Sequence, residues 1–120
     1  MGTQTELVKG TTAPICLQLL AQREMYGYEM VKAVNERTNG ALQWKEGTLY
    51  PCLHQLEADG FVRSVWREAP SGKMRKYYRL TRKGHSELTR RVEEWRVIRT
   101  AVNAILLEGL PSVVHAEEGA

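Results

Sequence analysis

Apolar side chains return at helical spacing in four stretches of the chain. Between residues 5 and 20, Leu7, Val8, Ile15, Cys16, Leu19 and Leu20 predict a first helix. Gly10 and Pro14 weaken its interior. Pro14 has no amide for the carbonyl of Gly10, so the helix is expected to kink there or to begin at about Ala13. Residues 26–38 carry Tyr28, Met30, Val31 and Val34 against a polar opposite face and stop at Asn39-Gly40, a second helix. Leu49, Cys52, Leu53 and Leu56 step by 3, 1 and 3 and end at Asp59-Gly60, a short third helix. Pro51 is expected in its first turn, which sets the start near Gly47 or Thr48.

After Gly60 the pattern changes. Residues 61–68 and 74–80 are β-capable runs flanking the turn signal Pro70-Ser71-Gly72, which predicts a hairpin. Thr81 is a candidate N-cap for a last helix reaching about Leu107. Along it Leu88, Val92, Trp95, Ile98, Val102 and Ile105 step by 4, 3, 3, 4 and 3. The predicted fold is mainly α with a small β-hairpin. Helix, helix, helix, strand, strand is the element order of a winged helix-turn-helix, expected over residues 1–80. A C-terminal dimerisation helix over 81–109 and a loosely ordered tail over 110–120 complete it.

Composition narrows the class. The chain has 120 residues, two of them cysteines (Cys16 and Cys52). That length suits one domain able to bury about two thirds of its unfolded surface. It excludes Rossmann and TIM-barrel enzymes. No signal-like start and no long apolar run are seen, so the expectation is a cytoplasmic protein with reduced thiols and no membrane partner. The formal net charge is only +3, but residues 61–91 hold ten cations and two acids, a net +8, and leave −5 for the rest. With Tyr77 and Tyr78 interleaved, this concentration points to a polyanion, nucleic acid, which the winged-helix order narrows to double-stranded DNA; the alternative is a solvated basic face with no partner.

On the third helix the core stripe leaves Thr48, Tyr50, Pro51, His54 and Gln55 on the other side, the candidates for a major groove about 12 Å wide. Thr48 and Tyr50 stand beside the helix N-terminus, where free amides and the dipole favour phosphate. His54 and Gln55 lie a turn deeper, and Gln can bond an adenine edge twice. In the wing Lys73, Arg75 and Lys76 are placed to meet phosphates. Neither a metal nor a cofactor is expected: Cys16, Cys52 and His54 provide too few ligands, with Cys52 and His54 on opposite sides of the helix. No nucleophile-elbow, phosphate-loop or paired metal-ligand motif suggests an enzyme.

Four ordered motifs carry a resemblance: Tyr26-Gly-Tyr-Glu29, Glu46-Gly-Thr-Leu-Tyr-Pro51, Leu56-Glu-Ala-Asp-Gly60 and Arg75-Lys-Tyr-Tyr-Arg-Leu-Thr81 followed by Lys83-Gly84. Together they closely resemble the PadR family of bacterial transcriptional regulators, over about residues 7–105. With one helix after the wing, the chain is similar to the compact subgroup that includes multidrug-binding repressors. The resemblance implies a homodimer joined through the last helix with help from the first. It also implies a repressor on a pseudo-palindromic operator, with Tyr28 on the DNA-facing surface. Gln55 departs from the family, where Arg is expected, which removes one phosphate contact.

Trp95 matches the aromatic residue that stacks planar ligands between subunits in multidrug-binding members, and Gln18 on the first helix is implied as a further ligand residue. Arg91, Trp95 and Arg99 are spaced four apart, so guanidinium groups flank the ring. This departs from members accepting cationic drugs, which carry an acid near Arg99. An aromatic anion is therefore the expected small-molecule effector, releasing the protein from DNA. The alternative pairs both arginines with Glu93, Glu94 or Glu108 across the dimer. A winged helix used only for protein contacts is the competing function.

Overall fold

The computed structural model describes the backbone of residues 3–108 and the side chains of residues 10–108. The expectation for the tail, and the packing of Leu7 and Val8, lie outside the described residues. The elements in order are α1 (Thr3–Gln22), β1 (Met25–Tyr26), α2 (Gly27–Arg37), α3 (Glu46–Ala58), β2 (Val62–Glu68), β3 (Met74–Leu80) and α4 (Arg82–Leu106). The fold is a mainly helical winged helix-turn-helix with a three-stranded antiparallel sheet and a long C-terminal helix. The chain divides into two compact units, Met1–Thr89 and Arg90–Ala120.

In the first unit the core is apolar and multi-element. Cys16, Leu17, Leu19 and Leu20 of α1, Met30 and Val34 of α2, and Leu49, Leu53 and Leu56 of α3 are buried. Met25, Val62 and Tyr78 close the core from the sheet. Each fully buried aliphatic side chain contributes about 1.5–3 kcal/mol, so this cluster fixes how α3 is held. Between α2 and α3, Thr38 Oγ1 accepts the Leu42 N–H at 3.1 Å and Asn39 takes positive φ at 52°. Trp44, 2 % exposed, plugs the gap ahead of α3.

The sheet order is β1-β3-β2. Register pairs Val62 with Leu80, Ser64 with Tyr78, Trp66 with Lys76 and Arg67 with Arg75. Because strand side chains alternate faces, Val62, Tyr78, Leu80 and Met25 point one way, into the core. Tyr26, Arg67, Arg75 and Tyr77 share the other face. Gly72, at φ 92°, closes the wing turn, its N–H donating to Ala69 O at 2.8 Å.

Several expectations change. α1 runs from Thr3 without interruption at Gly10 or Pro14. The missing Pro14 amide costs one bond, offset by the burial of the segment that follows. α3 begins at Glu46, so Pro51 is its sixth residue, past the first turn. Its absent N–H would have met the carbonyl of Gly47, where even an added Cβ would have nothing within 4 Å. Tyr28, placed in the apolar stripe of the second helix, is 57 % exposed. β1, two residues long, has no counterpart among the expected elements: period-two patterning cannot show over two residues, and it pairs with Tyr77 and Tyr78 far along the chain. The Thr81 cap is present: Oγ1 accepts the Gly84 N–H at 3.0 Å.

Candidate nucleic-acid interface

The outward flank of α3 carries Pro51, His54 and Gln55 exposed, with Thr48 and Tyr50 half-buried near its start. The His54 ring lies 6.3 Å from that of Tyr50. Gln55 Nε2 donates to Asp59 Oδ1 at 3.1 Å, a bond on the exposed face that a base edge would have to replace. Tyr50 is seated on Gly27: a Cβ on that glycine would collide with the Tyr50 hydroxyl oxygen. Burial pushes the Tyr50 phenol above its ordinary range, Glu46 acts in the same direction, and the positive charge of Arg75 opposes both. The phenol is therefore neutral and able to donate a hydrogen bond at physiological pH. Tyr28 lies exposed one residue beyond Gly27.

The wing holds its cations on both faces. Lys73 is exposed in the turn, and Arg75 and Lys76, successive on β3, point to opposite faces. Lys76 Nζ stands 5.8 Å over the Tyr78 ring, whereas the Arg75 guanidinium stands 5.3 Å over that of Tyr26. The structure thus places Arg75 beside the start of α2 and Lys76 on the sheet face that continues into the core. Arg67, opposite Arg75, lies 4.1 Å over the Tyr77 ring and forms an ion pair with Glu24 at 2.5 Å.

Sequence reasoning gave no site role to Gly27, Tyr26, Arg67 or the cross-strand pair Arg63 and Arg79. The alternation of Arg63, Arg67, Arg75 and Arg79 with intervening residues was a usable signal for one basic sheet face. No sequence signal links Gly27 to Tyr50, which meet only through the packing of α2 and α3.

The second unit presents a different surface. Trp95, Ile98, Val102 and Ile105 are exposed at spacings that repeat on one side of α4. Arg99 is exposed and Arg91 half-buried, each four residues from Trp95 and on its face. Glu94 pairs with Arg90 at 3.7 Å and Glu93 with Arg96 at 3.3 Å, within the same helix. In the first unit, Gln18 is exposed and lines a hollow of about 260 Å³ with Ile15, Leu19, Val34, Arg37 and Thr38. Cys16 is buried, and its side-chain hydrogen bond with Cys52, then burial, push its thiol well up. Among the described residues no group of three His, Cys, Asp or Glu could hold a metal ion, and no helix is long and apolar enough to cross a membrane.

Comparison with known proteins agrees with this geometry. A transcriptional regulator from Clostridium thermocellum is 30% identical, superposes with a TM-score of 0.78, and is matched over 85% of this chain and 99% of that one. A PadR-like transcriptional regulator from Bacillus cereus is 29% identical with a TM-score of 0.75, over 88% of this chain and 100% of that one. Transcriptional regulator Rv3488 of Mycobacterium tuberculosis is 49% identical over 60 residues, 50% of this chain and 52% of its own. The profile of the Transcriptional regulator PadR-like family matches residues 16–90. The chain therefore belongs to the PadR-like family of transcriptional regulators, DNA-binding proteins with a winged helix-turn-helix rather than enzymes.

Proposed function

We propose that the protein is a cytoplasmic homodimeric repressor that occupies a pseudo-palindromic operator. Residues 1–80 form the DNA-binding part and residues 81–109 the dimerisation helix. The observation that carries this reading is the exposed flank of α3 beside a wing whose two strands hold five cations, Arg63, Arg67, Arg75, Lys76 and Arg79, against Glu68 alone. In this reading Thr48, Tyr50, Pro51, His54, Gln55 and Tyr28 meet the groove and its rim, and Lys73, Arg75 and Lys76 meet phosphates.

A second copy is the partner that best covers the apolar side of α4. Trp95, Ile98, Val102 and Ile105 present four large apolar side chains to water. Two-fold pairing sets two α3 helices to read adjacent major grooves about 34 to 36 Å apart. An aromatic anion stacked on Trp95 between Arg91 and Arg99 would release the operator if it favours a dimer with displaced wings, because linkage makes the two affinities change by the same factor.

Selection of bound fragments from random duplexes with purified protein tests the reading. A recovered inverted repeat whose affinity falls steeply with salt is expected. Recovery of no sequence, or binding indifferent to salt, would favour a protein-contact module. Ile98→Glu should give monomers in sedimentation, and Trp95→Ala should weaken calorimetric binding of an aromatic carboxylate.

A further inference from the structure

Two side chains from distant parts of the chain come to rest over consecutive residues. Tyr50, from α3, lies against Gly27, where an added Cβ would sit 2.7 Å from its ring carbon Cζ as well as against its hydroxyl. Arg75, from the wing, lies over Tyr26, the residue just before. The positive charge of Arg75 also acts on the Tyr50 phenol, so the two side chains lie in one region of the surface.

The two arginines that face each other across the wing are treated differently there. Arg67 is neutralised by Glu24. Arg75 makes no ion pair among the described residues, and its Nε is buried with no hydrogen-bond partner. A buried donor without an acceptor is costly, and because Nε is closed to solvent an incoming ligand can meet only the terminal nitrogens of this half-buried side chain. A phosphate oxygen suits these nitrogens, because charge-assisted bonds to a permanent cation are the stronger ones. The Tyr50 phenol, kept neutral, adds a donor to the same place, while the absent side chain of Gly27 is what lets the ring lie down.

We infer that Tyr50 and Arg75 act as one clamp on a single backbone phosphate of the bound duplex, with Gly27 and Tyr26 as its floor. This rests on the DNA-binding reading above and adds a pairing that the reading does not require. It also gives Gly27 a specific task. Its missing Cβ positions the recognition helix's tyrosine, so Gly27 is a positioning residue rather than a contact.

The test is a double-mutant cycle on a duplex recovered by the selection described above, with Tyr50→Phe, Arg75→Gln and their combination. Each single change is expected to weaken binding about tenfold, the scale of a charge-assisted hydrogen bond. The combination should weaken it little beyond Arg75→Gln alone, because removing either group disorders the shared phosphate. The salt dependence should fall by about one phosphate for Arg75→Gln and no further in the double variant. Gly27→Ala should copy Tyr50→Phe and add nothing to it, with circular dichroism unchanged. Losses that multiply to about a hundredfold would overturn the shared phosphate and leave the DNA reading intact. Unchanged affinity in every variant would overturn the clamp and remove Tyr50 and Arg75 from the docking face, while failure of the selection itself to recover a duplex would overturn the DNA reading.

Discussion

Asn35 grips the backbone of Trp44 with both ends of its amide. Its Oδ1 accepts the Trp44 N–H at 2.8 Å and its Nδ2 donates to the Trp44 carbonyl oxygen at 3.4 Å. Residue 35 is in the last turns of α2 and residue 44 is just ahead of α3, so this one side chain sets the connection between the two helices. Asn35→Ala leaves both backbone groups without their partner and is expected to cost about 1–3 kcal/mol, read from the urea midpoint. Asn35→Asp keeps the shorter bond and should cost less.

Gly84 is a second place where one atom decides. A Cβ there would collide with the carbonyl oxygen of Phe61 and lie 2.7 Å from Leu80 Cδ1. Backbone cannot step aside as a side-chain tip can, so Gly84→Ala should destabilise by about 1–3 kcal/mol through overpacking. Gly10, inside α1, has open space around it, and Gly10→Ala should instead stabilise by about 0.5–1 kcal/mol by favouring the helix. Opposite shifts of the two thermal midpoints are the check.

These contacts mark how far the sequence was legible. The apolar steps Leu49, Leu53 and Leu56 announced α3 and its buried side because periodicity is a local property. The hairpin followed from two β-capable runs about a turn signal, and the Thr81 cap from its position before the last stripe. Tyr28 misled because an aromatic at helical spacing looks like core, yet it is 57 % exposed near the start of α2. β1 was hidden because its pairing with Tyr77 and Tyr78 is set by tertiary packing. The start of α3 slipped because proline favours a first turn, whereas Gly47 four residues before Pro51 makes an interior proline tolerable. The seat of Tyr50 on Gly27 joins residues on two helices, and only folding brings them together.

Tyr78 supplies a pH dependence. It is buried, and burial, with Glu57 and then Tyr50 acting in the same direction, pushes its phenol above the ordinary value of 10.0. A folded value raised above the unfolded one means that the stabilisation is whole below about pH 10 and is lost as pH climbs through the folded value. The thermal midpoint should therefore hold through neutral pH and fall on the alkaline side. Tyr78→Phe should flatten that fall; an equally steep decline in the variant would assign the effect to other groups.

Arg67 and Arg75 face each other across the wing, and their repulsion is moderated by Glu24 on one side only. Like charges directly opposite on a sheet destabilise by a fraction of a kcal/mol, and an exposed ion pair returns a similar amount. Glu24→Gln removes the compensation and leaves both cations in place, so it should cost about 0.5 kcal/mol at low salt. Arg67→Gln removes the ion pair and the repulsion together and should be close to neutral. The double change should match Arg67→Gln rather than sum the two. Because these groups are half-exposed, the penalty of Glu24→Gln should shrink as salt rises and the screening length falls to about 3 Å at 1 M. A salt-independent loss for Glu24→Gln would mean that the residue does not act through its charge on the wing.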